Sequence, residues 1–355
     1  MAKVAIINDT HFGVRQDSVV YANSQKLFYE NVFFPTIDSN NVKHVLHLGD
    51  VFDRRKYANF LTIRNANEMF FDRIVERNIE THVIVGNHDT FYRDTNEINS
   101  MRLLYSQSKY DNLHIYWEKP VIVTIDNLDI MMCPWICSEN QKQSLEAISN
   151  TNAKVLMGHF EIMGFEMLKG TLCDHGLEQN LFSKFHCVFS GHFHHPSSYQ
   201  NITYLGAPYE MNWGDYQGRR GFHLFDTETL ELEFIENPYS VHHRFLYDDT
   251  NMTYEDLLDI DYSVFNEVYL KIVISNKTKN DIYEAFMDKV LESGVASVTV
   301  IEEDLGVDFS EEETINEVED TFTIITNYIE KVKTKGSKDE LKKKAFSIYN
   351  EALNL

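Results

Sequence analysis

No apolar run in the sequence approaches the ~18 residues that a membrane-spanning helix requires, so a helical membrane protein is excluded. The N-terminus, MAKVAIIND, carries no apolar stretch of signal-peptide length before its first polar residues, which sets the expectation of a cytoplasmic protein. Cysteine is scarce: Cys133, Cys137, Cys173 and Cys187 are the four in the chain. Too few for a disulfide scaffold, they are expected to be reduced. Cys133 and Cys137 flank Pro134-Trp135-Ile136, a spacing that matches a zinc knuckle poorly. Internal repeats and low-complexity tracts are absent. Basic residues are few, with 32 Lys and Arg against 55 Asp and Glu and a net charge of −23. A protein that grips nucleic acid unaided shows a basic surface, because affinity comes largely from neutralised phosphates. Either the substrate is not nucleic acid, or bound cations and a partner supply the positive field. Part of the excess is local: Glu302 to Asp320 holds ten acidic residues and no Lys or Arg, and reads as a solvated linker.

What is present is an ordinary globular interior. Hydrophobic residues make up 43% of 355, enough for one large domain with an addition. Short apolar runs recur through the first 240 residues (VAII, HVLHL, HVIV, VIVTI, VLMG, CVFSG, ITYLG, FHLF), several rich in Val and Ile. Helix-like segments such as Thr62 to Arg77 separate them. The alternation predicts a layered α/β domain with functional loops at the carboxyl ends of strands. The pattern changes near Glu236-Asn-Pro-Tyr-Ser240. From Glu267 it reads strand, helix (Asn280 to Glu292), Gly294 and strand, a compact βαβ module without a chemical motif. The tail from Ser337 to Leu355 places Leu341, Ala345, Phe346, Ile348, Tyr349, Ala352 and Leu353 at helical spacing. Ser337 is a candidate cap. The expected divisions are 1–240, 241–305, 306–336 and 337–355.

Five polar stretches sit at or just after apolar runs. They supply Asp9 and His11; Asp50 and Asp53; Asn87, His88 and Asp89; His159; and His192, His194 and His195. Each alone is weak. A D-x-H is often a turn with a surface histidine, and a Gly-Asp after a strand is often a capped turn. His159 alone is more often a satisfied core histidine. In G-H-x-H, alternate residues on an extended segment point to one side and can hold one cation together. The order of all five, each behind a buried strand, is the strong signal.

Asp9/His11, Gly49-Asp50, Gly86-Asn87-His88-Asp89, Gly158-His159 and Gly191-His192-Phe193-His194 resemble the five motifs of the calcineurin-like metallophosphoesterases. The resemblance covers about the first two-thirds of the chain. It implies a four-layer α/β fold, two packed mixed β-sheets flanked by helices, with two divalent metal ions at the strand ends. Asp50 would bridge them, since a carboxylate reaches two cations and an imidazole does not. Asp9, His11 and His194 would hold the first, and Asn87, His159 and His192 the second. The N/O donor set suits manganese, iron or zinc over calcium. The family pattern favours Mn2+, with Mg2+ as the alternative. The pair would activate a shared water for in-line attack on phosphorus. By the same resemblance, His88 binds phosphate or protonates the leaving oxygen. Asp53, three residues past the bridge, is the second catalytic candidate. Asp89 orients His88 or its loop, or is a plain turn carboxylate. His195 reads as a surface or supporting residue, and His44, His47 and His186 as sheet residues without a catalytic role.

Other marks narrow the group. HLGDVFD, GNHD, the CPWI at Cys133 to Ile136 and LGAPYEMNWGD at Leu205 to Asp215 look like the nuclease subunit of SbcCD-type DNA-break-processing complexes. Acidic character and compact length look like the variety carried by T-even-like bacteriophages, which would put the chain in a host cytoplasm. This likeness implies a DNA exonuclease and single-strand endonuclease acting in recombination and repair. It also implies a capping domain over 241–305, and a C-terminal helix over 337–355 docking on an SMC-like coiled-coil ATPase. A homodimer within a heterotetramer is implied too, with Phe60 to Phe71 and Met101 to Tyr105 as candidate contacts. Two other readings stand beside it. GDVFDRR also resembles protein phosphatases, which favours a phosphoprotein or phosphomonoester substrate. A silent scaffold is disfavoured, because no ligand position is lost.

Overall fold

The computed structural model describes residues 3–106, 110–168 and 171–302, together with Lys338 and Lys344. The expected linker (306–336) and docking helix (337–355) otherwise lie outside the described residues.

Two six-stranded sheets organise the chain. The first takes β1 (Lys3–Ile7), β2 (His44–His47), β3 (Glu80–Ile84), β4 (Leu113–Tyr116), β13 (Gly221–Asp226) and β14 (Leu232–Glu236), in the order β14-β13-β1-β2-β3-β4. The second takes β5 (Val121–Ile125), β6 (Leu128–Cys133), β7 (Val155–His159), β10 (Cys187–Gly191), β11 (Ser197–Tyr199) and β12 (Ile202–Tyr204), in the order β11-β12-β10-β7-β6-β5. A short ribbon, β8 (Glu166–Leu168) with β9 (Thr171–Leu172), lies between β7 and β10 in the chain. β1, β2, β3 and β4 are mutually parallel, as are β6, β7, β10 and β12.

The continuous apolar runs follow from burial on both faces. In β1, Val4 and Ile6 face a core shared with the second sheet, while Ala5 and Ile7 face helices. In β7, Val155 and Met157 join that inter-sheet core, and Leu156 packs on the far side with Ile148 of the helix Gln141–Asn150. The layers are therefore helix, sheet, sheet, helix, as anticipated for this fold class. The helix expected from Thr62 starts at Phe60, because the Asn59 side chain accepts the Leu61 N–H at 2.9 Å and caps it. It continues through a π-helical turn, Asn67–Phe71, that seats Phe70 and Phe71 in the core. His44 and His47 lie in β2, but His186 does not lie in a sheet: it precedes β10 and donates its N–H to Lys154 O.

A third, three-stranded parallel sheet contains β15 (His242–Asp248), β16 (Tyr269–Asn276) and β17 (Ser297–Glu302). The helix Asn280–Glu292 covers it with Ile282, Phe286 and Val290, one helical turn apart. The expected βαβ module thus has an additional strand, β15, whose alternating polar residues (HHRFLYD) carry little apolar signal. Glu210 ties this sheet to the larger body: its carboxylate accepts the Val241 and His242 N–H groups, each at 3.0 Å, and faces His242 Nδ1 at 2.9 Å. Among the described residues no helix is long and apolar enough to cross a membrane.

Two histidines remote from the strand-end loops bear on stability. Burial, then the neighbouring His114 and His44, pull His82 down to about 4. Burial, then Arg219, pull His223 down to about 4. In the unfolded chain each titrates near ~6.5, so between those values the unfolded state binds more protons and stability rises with pH. The contribution is whole above ~6.5 and lost as pH falls toward 4, on the order of 3 kcal/mol for each residue. Urea unfolding of metal-free protein should show falling stability across this window. The double substitution His82→Gln with His223→Gln should flatten the slope by as much as ~1.4 kcal/mol per pH unit per residue. An unaltered slope would exclude these two groups as its source.

Candidate metal centre

Every site residue anticipated from the strand-end motifs lies where a parallel strand runs out. Asp9 and His11 follow β1, Asp50 follows β2 and Asn87 follows β3. His159 ends β7, and His192 and His194 follow β10. Two residues of each sheet stitch the ends together. His159 Nδ1 donates to Leu48 O across the sheets at 2.7 Å, and the His192 N–H donates to Asp9 Oδ2 at 3.0 Å. The loops approach so closely that side chains are excluded at two positions. A Cβ on Gly49, whose φ is +90°, would meet His159 Nδ1 and Gly86 Cα, and one on Gly86 would run into Asp50.

Seven side chains converge in two groups. Asp9, His11 and His194 form one, and Asp50, His159 and His192 the other. Asn87 Oδ1 reaches into the second, 2.9 Å from His159 Nε2 and 3.0 Å from His192 Nδ1. Asp50 Oδ2 stands between them, 3.2 Å from His159 Nε2 and 3.7 Å from His11 Nε2. In the first group, His194 Nε2 and His11 Nε2 face each other at 3.2 Å. His192 and His194 therefore serve different groups. Spacing alone would let an extended G-H-x-H segment aim both at one point; the +88° φ of His192 turns the chain, and the two part as the family resemblance implied.

The donor chemistry fits divalent cations. His159 gives its Nδ1 proton to Leu48 O, so the neutral ring keeps a lone pair on Nε2. That lone pair points at two acceptors, Asp50 Oδ2 and Asn87 Oδ1. Acceptors crowd together only around a proton or a cation. Without a metal the ring takes a proton: burial opposes this, but Asp50 overrides it and raises His159 to about 9. His11 behaves alike. Burial pulls it down, and Asp53, Asp50 and Asp9 outweigh that and raise it to about 10. Asp50 is held well below the usual carboxylate range, against burial, by His159, His88 and His11. His194, buried and beside His11 and Arg220, is held well below the usual imidazole range.

The remaining candidates surround this core. His88 is half-buried; its Nδ1 donates to the Asp53 main-chain carbonyl at 2.6 Å, and its ring lies 4.8 Å from that of His11. Asp53 Oδ1 is 3.4 Å from His11 Nδ1. Asp89 does not touch the His88 imidazole. Its buried carboxylate accepts the N–H groups of Val51 (3.0 Å), Phe52 (3.2 Å) and Gly86 (2.9 Å), fastening the Asp50 loop to the Asn87 loop. Burial and the adjacent Asp50 raise it to about 7. His195 approaches Asp215 Oδ1 at 3.7 Å, and Asp215 in turn pairs with the buried Arg220 at 2.7 Å. Arg220 also donates to His194 O, which holds the loop carrying His194. Sequence reasoning missed Arg220. It also missed Trp135, whose ring lies 5.3 Å from that of His192, and Glu161, whose Oε1 is 3.8 Å from His192 Nε2. Arg220 carries no motif; Glu161 lies just past the Gly158-His159 motif and Trp135 in the CPWI stretch after β6, but neither residue type in those places suggested a role.

Removing the Asp89 carboxylate would strand three buried N–H donors, at ~1–3 kcal/mol each if unrelieved. Asp89→Ala should lower the urea midpoint of metal-free protein by the equivalent of at least ~2 kcal/mol. Asp89→Asn, which keeps one acceptor oxygen, should fall between. An Ala variant as stable as the parent would refute the fastening role.

The calcineurin-like phosphoesterase family model matches residues 2–196. The chain is 32% identical over 359 residues to exonuclease subunit 1 of Enterobacteria phage T4, covering 99% of each. It is 23% identical over 220 residues to an SbcCD nuclease subunit of Staphylococcus saprophyticus, covering 52% of this chain and 55% of that one. An archaeal phosphodiesterase of known structure aligns at 16% identity and a TM-score of 0.35, over 66% of this chain and 99% of that one, too low to carry weight. The matched span takes in the strand-end residues from Asp9 to His194, so by family match and by full-length likeness the chain belongs to the calcineurin-like phosphoesterases.

Proposed function

We propose that the chain is a metal-dependent DNA nuclease, cutting from DNA ends and within single strands. The observation that carries this is the convergence of seven N- and O-bearing side chains, Asp50 among them, with His88 at the half-buried rim. Asp9, His11 and His194 would hold one divalent cation, Asn87, His159 and His192 the other, and Asp50 both. When bound, such a pair supplies Lewis acidity to the phosphoryl oxygens and makes water a stronger nucleophile near neutral pH. Mn2+ is the assigned metal on the donor set and the family pattern, with Mg2+ the alternative.

The other steps belong to the chain's own residues. Asp53 O fixes the His88 tautomer by accepting a hydrogen bond from Nδ1–H, so any proton passed to a leaving oxygen departs from Nε2. Asp53 Oδ1 orients His11 from the far side of its ring. Two arginines offer the positive field that the acidic chain otherwise lacks. Arg55 lies close enough to Arg93 and Asp50 to feel both charges, and its Nη1 is buried with no hydrogen-bond partner among the described residues. A phosphodiester oxygen would satisfy it. Arg54, the arginine of the phosphatase-like GDVFDR stretch, is instead engaged by Asp17 at 2.7 Å, which favours the nuclease over the phosphatase reading. The names of the two relatives above point the same way.

By the same likeness, residues 241–305 act as a cap, residues 337–355 dock on an SMC-like coiled-coil ATPase, and the chain works as a homodimer in a heterotetramer for DNA recombination and repair. A pull-down with such an ATPase, lost when residues beyond about 330 are deleted, tests the docking.

Labelled duplex and single-stranded DNA incubated with the protein in Mn2+ should be cleaved. Brisk hydrolysis of phosphopeptides with intact DNA would replace this reading with a phosphatase. His88→Ala should lower the cleavage rate by at least ~100-fold while two metal ions per chain remain bound. Loss of metal would reassign His88 as a ligand. Arg55→Ala with Arg93→Ala should weaken DNA binding and reduce the slope of log affinity against log salt by about one per arginine. An unchanged slope would remove them from the DNA path.

A further inference from the structure

A second cluster of metal-ligating side chains lies in the segment between β7 and β10, outside the set assigned above. Glu161 stands two residues past His159; Cys173 and His175 follow β9. One ligand atom from each of the three lies within 4.8 Å of the others. Glu161 Oε1 is 3.1 Å from His175 Nε2, and Cys173 Sγ is 4.0 Å from His175 Nδ1. Main-chain bonds already hold the segment in shape: Leu177 N–H to Glu161 O, Cys173 N–H to Phe165 O and Gly164 N–H to Cys173 O, each 2.8 Å. Cys173 is buried at 1% exposure, whereas His175 is more than half exposed, so a bound ion would have one open side toward solvent.

Two further observations point to a ligand here. Asp174 Oδ1 lies 2.8 Å from His175 Nδ1, which orients the ring and leaves Nε2, the nitrogen facing Glu161, as its ligand atom. His192 Nε2, on a side chain 6% exposed, has no hydrogen-bond partner among the described residues and faces the same Glu161 oxygen. The cluster differs in kind from the phosphoesterase centre, whose seven donors are all N and O. A thiol, an imidazole and a carboxylate select zinc or cobalt and discriminate against manganese and magnesium.

We propose that Glu161, Cys173 and His175 form a separate zinc-type cation site beside the His192 edge of the phosphoesterase centre. On binding, the Cys173 thiol becomes a thiolate ligand and its proton passes to solvent, so affinity rises with pH. The fourth position is taken by water.

Cobalt reports on this site alone, because a thiolate-to-cobalt charge-transfer band needs a cysteine ligand. Among the described residues Cys133, Cys137 and Cys187 belong to no group of metal-ligating side chains. Full-length protein saturated with Co2+ should show the band at the intensity of one thiolate ligand per chain. Zn2+ in excess should abolish it, and Mn2+ in excess should not. Cys173→Ser should lack the band and retain one zinc per chain fewer than the parent. His175→Ala, at an exposed position that leaves the fold intact, should weaken zinc binding at least ~10-fold. His11→Ala, which alters the phosphoesterase centre, should keep the band, so failure of that centre and failure of this site are distinguishable. No band in the parent, or a band that survives Cys173→Ser, overturns the proposal.

Discussion

Negative charge taken out of water is the constraint around which this molecule is arranged. Asp9 and Asp50 are 0% and 1% exposed, and an isolated buried carboxylate is far too costly to persist unpaired. The protein answers with imidazoles and main-chain N–H groups. His192 N–H serves Asp9, His88 N–H serves Asp50, and His159 and His11 close on the Asp50 oxygens. These partners offset the carboxylates only while His159 carries a proton on Nε2, which Asp50 Oδ2 and Asn87 Oδ1 share. A core built only for stability would not gather acceptors in a way that needs a proton or a cation between them.

This crowding of acceptors persists because two sheets jointly enforce it. Asp9, Asp50 and Asn87 come from the first sheet, and His159, His192 and His194 from the second. Neither sheet alone assembles a complete group. The inter-sheet core of Val4, Ile6, Leu46 and Ile84 against Val155, Met157 and Phe189 sets the spacing, and its burial is the main favourable term holding the halves in register. Asp89 then makes the adjustment within the first sheet, by joining the turn after β2 to the turn after β3.

Much of this was legible in the sequence, for a definite reason. A strand buried on both faces reads as an uninterrupted apolar run, so the polar residues after it stand out; that gave eleven candidates, and the family resemblance picked out the seven that converge. What was not legible depends on three-dimensional proximity without local pattern. Asp89 reads as a turn carboxylate, and only its fold shows that it receives N–H groups from Val51 and Phe52, more than thirty positions away. Arg220 carries no motif, and Glu161 lies just past one without suggesting a role. The division of His192 and His194 between two groups was implied by the family resemblance and not by spacing, since it rests on a backbone reversal that residue type does not announce. β15 was overlooked because its side chains alternate between core and solvent with His, Arg and Asp among them.

Four of the seven converging residues hold left-handed backbone: Asp9 at φ +49°, His11 at +37°, Asp50 at +54° and His192 at +88°. For side chains other than glycine such conformations each cost on the order of 1 kcal/mol or more. The surrounding bonds tolerate this strain; they do not remove it. Glycine at one of these positions would relieve the local strain and remove one of the converging side chains in the same stroke. Selection for heat resistance alone would therefore drift toward chains that have lost part of this cluster, and any campaign to toughen the protein must hold these four codons fixed and look for its gains elsewhere.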